Sequence, residues 1–241
     1  MRLPMGRKKA LLSRSAVFAC SVLAVALALL NVLVSVHLMS LDLGFYRTQW
    51  AACRVPEDTG MTPDELNRAG LALTGYFTGQ SDTPQIQANI DGKVRPLYGD
   101  AELLHLKDVR SLFSAGFSLE RALAAVGLAG ILYLLPAKRR RALGAALLIA
   151  AGICIAVLVA LGIPAKMDFA GWWTDFHLVT FSNDLWMLDP ATDWLIRMFP
   201  AEFFFSSVER IGRISAGISL LYVVSGLLVR HFSADNRHLN S

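Results

Sequence analysis

The chain alternates long apolar stretches with polar, patterned ones. A bilayer core about 30 Å thick is crossed by about 20 helical residues, each rising about 1.5 Å. Two segments reach that length without a charge, 16–39 and 142–163. Two more reach it with charges near one end: 117–135 carries Glu120 and Arg121, and 211–229 carries Arg213. Long side chains at such positions can snorkel to the headgroups. The pattern predicts four membrane spans. The first follows a basic segment, as a signal peptide would. Its apolar stretch is too long for one, and Val36-His37-Leu38-Met39 lacks a small-residue cleavage pattern, so it reads as a retained anchor.

Between the spans the periodicity changes. In 41–116, Thr62-Pro63-Asp64-Glu65 reads as a helix start, with Thr62 as N-cap, Pro63 in the first turn and Glu65 completing a capping box. Leu66, Ala69, Leu73 and Phe77 then recur on one face. After a break at 79–84, residues 85–90 and 93–98 flank Asp91-Gly92, a two-residue hairpin signal. A second helix is predicted from Asp100 toward Ser114, carrying Glu102, His105, Asp108 and Leu112 on adjacent turns. The segment 164–210 interleaves aromatic and acidic residues, too polar to span and too aromatic for a solvated loop. It is expected to lie along the membrane surface, with Phe199 and Phe203 to Phe205 dipping into the acyl chains.

Composition supports this class. Hydrophobic residues make up 54% and charged ones only 17%, outside the range of soluble domains and of disordered chains. The net charge of +4 describes topology. The N-terminus, the loop 136–141 and the tail from Arg230 hold ten net positive charges, and the two long polar segments hold seven net negative ones. The positive-inside rule then places both termini in the cytoplasm and both polar segments outside. All five tryptophans, Trp50, Trp172, Trp173, Trp186 and Trp194, belong to these outer segments and are expected at the interface. The basic run Lys138 to Arg141 is a topology signal, so no nucleic-acid partner is implied. No Walker A loop and no GxGxxG occurs, which leaves no evident means of using a nucleotide. Three cysteines without a CxxC pair argue against a disulfide framework or a zinc site. Cys20 and Cys154 read as small apolar residues within spans, and Cys53 as a free thiol.

The chemistry must therefore come from the outer segments. Of five histidines only His105 and His177 lie there; His37 is near the end of the first span, and His231 and His238 are in the tail. Two such rings with carboxylates nearby suffice for proton transfer near neutral pH. The residues alone leave other readings open: a histidine-metal membrane hydrolase, weakened by the lack of an HExxH spacing, and a four-span scaffold or transporter subunit, weakened by the scarcity of ionisable residues within spans.

The run from Asp175 to Trp186, followed by Asp189-Pro190-Ala191-Thr192-Asp193 and Phe199 to Phe204, resembles the signature of the lipoprotein intramolecular transacylases. His105-Leu106-Lys107-Asp108-Val109-Arg110-Ser111-Leu112-Phe113 resembles the family's other block, and 62–76 its outer helix. Leu106 stands where many members have Met. The resemblance implies an all-α integral membrane protein of a bacterial cell membrane: four spans, a small extracytoplasmic cap of helix plus β-hairpin, and an interfacial or re-entrant segment. It implies an acyltransferase acting on diacylated bacterial lipoproteins among membrane lipids, without cofactor or metal. The sn-2 acyl chain moves from the diacylglyceryl group of the N-terminal cysteine to that residue's own amino group, giving the lyso-form. His105 and His177 fall on the family's two histidines. His105, oriented by Asp108, is assigned as base and His177 as electrophile or acid, with the roles interchangeable. Asn183, Asp184 and Trp186 are expected to support them.

Overall fold

A computed structural model of the chain describes residues 13–90 and 92–238. The basic residues Arg2, Arg7, Lys8 and Lys9, the turn residue Asp91, and the side chains of Asp235, Arg237 and His238 lie outside the described residues. Four helices are long and apolar enough to cross a membrane: α1 (Arg14–Ser40), α5 (Asp100–Leu134), α6 (Arg140–Met167) and α9 (Ala201–His238). Between α1 and α5 lie α2 (Leu43–Ala52), α3 (Val55–Thr59), α4 (Pro63–Phe77), β1 (Gln87–Ile90) and β2 (Lys93–Pro96); between α6 and α9 lie α7 (Phe169–Thr180) and α8 (Trp194–Met198).

The four long helices pack as a bundle in which α1 touches the other three and α6 lies along α9. Without a hydrophobic drive between helices in lipid, such packing relies on close approach and buried polar contacts. Both are present. A Cβ at Gly144 would come within 2.9 Å of the Gly226 carbonyl, and one at Gly226 within 3.0 Å of the Gly144 carbonyl. Deeper in the bundle the Asn31 amide donates to Ser219 Oγ, to the Ser215 carbonyl and to Cys154 Sγ at 3.1–3.2 Å. Cys154 is thus a polar partner as well as a small filler. Outward-facing Phe18, Leu128, Leu132, Ile155, Leu161, Leu220 and Leu227 are exposed, a surface only acyl chains satisfy.

The cap forms as the hydrophobic spacing predicts, with local differences. Thr62 Oγ1 accepts from the Glu65 amide at 3.2 Å, but the Glu65 carboxylate turns to Arg68, so only half of the capping box is made. Leu66, Ala69 and Leu73 are buried. The strands pair antiparallel with Ile90 opposite Lys93, and Gly92 takes a φ of +79°. Ile90, Leu97 and Ala88 complete the core with Tyr46, Trp50, Phe199 and Phe203.

Four expectations are corrected. The helix predicted from Asp100 and the second span, 117–135, are one uninterrupted helix, α5. Gly116 does not break it; the missing side chain makes room for His37, whose Nε2 a Cβ would meet at 3.2 Å. Phe199 and Phe203 close the cap core instead of entering lipid, because Phe199 at the end of α8 and Phe203 in the first turn of α9 both pack on Tyr46. Trp50 is 2% exposed, with its indole N–H donating to the Met198 carbonyl at 2.9 Å, so it is a core residue and not an interfacial one. Glu120, expected to snorkel, turns inward to His37 Nδ1 at 2.8 Å.

Gly144→Leu should lower stability by about 1–3 kcal/mol through overpacking against the Gly226 backbone. The measurement is thermal unfolding in detergent; an unchanged Tm would contradict the close α6–α9 contact.

Candidate active site

Helix α5 has 35 residues, about 52 Å at 1.5 Å per residue, against an apolar slab of about 30 Å. Its first four turns therefore project beyond the slab, and His105 rides on that projection. The N-terminus is fixed by Glu102, a buried carboxylate that accepts from the Gly99 amide at 2.7 Å and from the Leu195 amide at 2.6 Å. Burial pushes the Glu102 pKa up while these two N–H groups hold it down. The second bond ties the segment after α7 to the start of α5.

His177 comes from α7, whose start is capped by Asp168 Oδ1 accepting from the Gly171 amide at 3.0 Å. Its Nδ1 lies 2.7 Å from the Trp173 carbonyl one turn earlier. A carbonyl only accepts, so Nδ1 carries the proton and the lone pair of the neutral ring is on Nε2. At Phe181 the backbone becomes extended, and the chain folds back to stack Trp186 on His177 with ring centres 4.8 Å apart.

These elements bring the two histidines together. Their ring centres are 6.2 Å apart, and they are 8% and 7% exposed. Phe181 packs against both, 5.2 Å from His105 and 5.7 Å from His177. The supporting residues are placed differently from one another. Asp108 does not orient His105: Nδ1 of that ring is buried with no hydrogen-bond partner among the described residues, and Asp108 Oδ2 instead accepts from Asn183 Nδ2 at 2.9 Å. The reason is geometric, since the turn after α7 presents the Asn183 amide to the carboxylate. Trp186 walls the site. Asp184 is exposed and its backbone carbonyl accepts from the Met187 amide. Among the described residues no three His, Cys, Asp or Glu side chains converge in a way that could hold a metal ion.

Burial, reinforced by the neighbouring His177, brings the His105 pKa down to about 4 against a partial opposing pull from Asp108. Burial also lowers the His177 pKa, partly offset by the Trp173 carbonyl. Both rings are neutral at physiological pH. Sequence reasoning missed Glu102 as the tie between segments, Phe181 as the shared wall and the Trp173 carbonyl as the tautomer lock. Only the last had a signal, the four-residue spacing from Trp173 to His177 on one helix.

A family model described as lipoprotein intramolecular transacylase Lit matches residues 21–204. The chain belongs to the Lit family. Membership makes it a multi-pass membrane acyltransferase and does not favour the scaffold, transporter and metal-hydrolase readings. Among solved structures it is similar to the membrane-integral Lit of Bacillus cereus, with TM-score 0.78 and 21% identity over 93% of this chain and 98% of that one. Two variants of the Bacillus Lit, with one histidine replaced by arginine or by alanine, match at TM-score 0.74 and 22% identity, covering 94% and 93% of this chain and 95% and 96% of theirs. No curated protein sequence matches. At this identity the structural likeness concerns the fold.

Because folding lowers the His105 pKa below its ordinary value of 6.5, the unfolded chain takes up this proton first. Neutral His105 favours the fold above that pH, and the contribution is lost as pH falls toward 4. Ring NMR should find His105 unprotonated at about pH 5.5; a midpoint near 6.5 would contradict its burial.

Proposed function

We propose that the chain transfers the sn-2 acyl chain of a diacylglyceryl-modified N-terminal cysteine onto that cysteine's α-amino group, yielding the lyso-form lipoprotein. The observation that carries this reading is the approach of two buried, neutral imidazoles to 6.2 Å. They sit beside Leu178 and Val179, which are 60% and 89% exposed and suited to the acyl region. The charge asymmetry along the chain supports cytoplasmic termini and a site on the outer face of the bacterial cell membrane.

The reaction exchanges an ester for a more stable amide, so it runs downhill without a nucleotide. Donor and acceptor belong to one molecule, and the enzyme's task is to fold them together and manage one proton. The α-amino nitrogen attacks the ester carbonyl carbon, a C–N bond forms, and the bond to the sn-2 oxygen breaks. The tautomer of His177 supports it as the proton carrier. Its Nε2 lone pair takes the amine proton, the Trp173 carbonyl steadies the resulting imidazolium, and Nε2 returns the proton to the departing sn-2 oxygen. His105, whose pKa is too low for an efficient base, serves as a neutral N–H donor to the carbonyl oxygen as charge develops there. This exchanges the roles expected from the sequence.

In a bacterial host lacking this activity, expression should convert lipoprotein N-termini from diacylated with free amine to the N-acyl lyso-form, read by mass spectrometry. His105→Ala and His177→Ala should each reduce conversion by roughly 10²–10⁴-fold. Unchanged N-termini would refute the function, and full activity in either variant would refute the site.

A further inference from the structure

Beside the histidine pair lies an open depression of about 260 Å³ whose walls include Asp108, Ser111, Thr180, Phe181, Ser182 and Asn183. Its lining mixes the polar groups of Asp108, Ser111, Thr180, Ser182 and Asn183 with the apolar Leu112 and Phe181, and Phe181 also packs against both imidazoles. The Asp108 carboxylate uses Oδ2 to accept from Asn183. Arg110, two residues further along the same helix, is turned away, lying over the Tyr76 ring at 4.5 Å and reaching 3.9 Å from Asp82. Asp108 is thus a half-buried anion with no cation paired to it in the described contacts, fixed at the rim of the site by a neutral amide.

We propose that this depression is the subsite for the substrate's α-ammonium group, with Asp108 as its counter-ion; the inference rests on the acyl-transfer reading above. A free N-terminal amine has an ordinary pKa of about 8 and arrives mostly charged at neutral pH. A carboxylate in a partly desolvated pocket pairs with it more strongly than one in water. Docking there sets the nitrogen one helical turn from His105. The depression is open, so the ammonium's extra proton leaves to water before the neutral amine attacks; the second proton follows the His177 route to the sn-2 oxygen. The serine and threonine hydroxyls serve the remaining hydrogens and the first peptide group.

The test compares two non-reactive ligands with an ether in place of the sn-2 ester: a diacylglyceryl-cysteinyl lipopeptide, and its analogue with hydrogen in place of the α-amino group. The wild-type protein in detergent should bind the amine-bearing ligand about tenfold more tightly. Asp108→Asn can still accept from Asn183 and keeps the clasp, yet it should abolish that preference and raise KM for the ester substrate with little change in kcat. Asn183→Ala loses the clasp and keeps the charge, and should retain the preference. No preference in the wild type, or an equal loss for both ligands in Asp108→Asn, would overturn the proposal. Failure of the wild type to convert the ester substrate would instead count against the acyl-transfer reading, because ligand preference is read without turnover.

Discussion

Helix α5 is about 20 Å longer than the apolar slab it crosses, and the position of every other functional group follows from that excess. One rigid helix carries His105 from the bundle to a fixed height above it, with no hinge between anchor and site. Glu102, only 1% exposed, then joins this projection to the distant segment at Leu195. A buried carboxylate is stabilised when its oxygens are filled by N–H groups, and here the donors come from two separate parts of the chain. The same tie brings the segment that carries His177 and Trp186 against α5.

The environment so built is aromatic and largely dry. Phe181, Trp173 and Trp186 surround the imidazoles, which disfavours a charged ring at rest and strengthens each hydrogen bond made to the reacting atoms. Two neutral histidines are suited to a reaction with no net change in charge between its neutral amine and ester and its amide and alcohol. Their environments differ: one nitrogen of His177 is locked to a carbonyl, whereas His105 has no such partner for Nδ1. That asymmetry suits the proposed division between one proton path and one polarising contact.

Much of this was readable from the sequence, and what was not has physical causes. The four spans follow from apolar length, interrupted only near the ends of two of them, and the hairpin at Gly92 from local turn chemistry. His105 and His177 stood out as the only histidines of the outer segments. Tertiary choices were hidden. The helix toward Ser114 and the span from 117 look like separate elements until Gly116 is seen to make room for His37 within one helix. Phe203 looks like a membrane anchor until the cap core needs a lid. Asp108 shares a helix face with His105 at three-residue spacing, yet Asn183, 75 positions away, takes its oxygen. Local spacing shows which groups can meet and leaves open which competitor from another segment arrives first.

The central claim is that one substrate molecule, folded between two facing imidazoles, supplies both the acyl chain and the amine that receives it. A crossover experiment tests this most directly. Two diacylated lipopeptides of different peptide mass, one with a deuterated sn-2 chain, are mixed with the reconstituted protein and their N-acyl products are weighed by mass spectrometry. The account predicts that the heavy chain stays with the peptide that first carried it. Exchange of the heavy chain between the two peptides would contradict it.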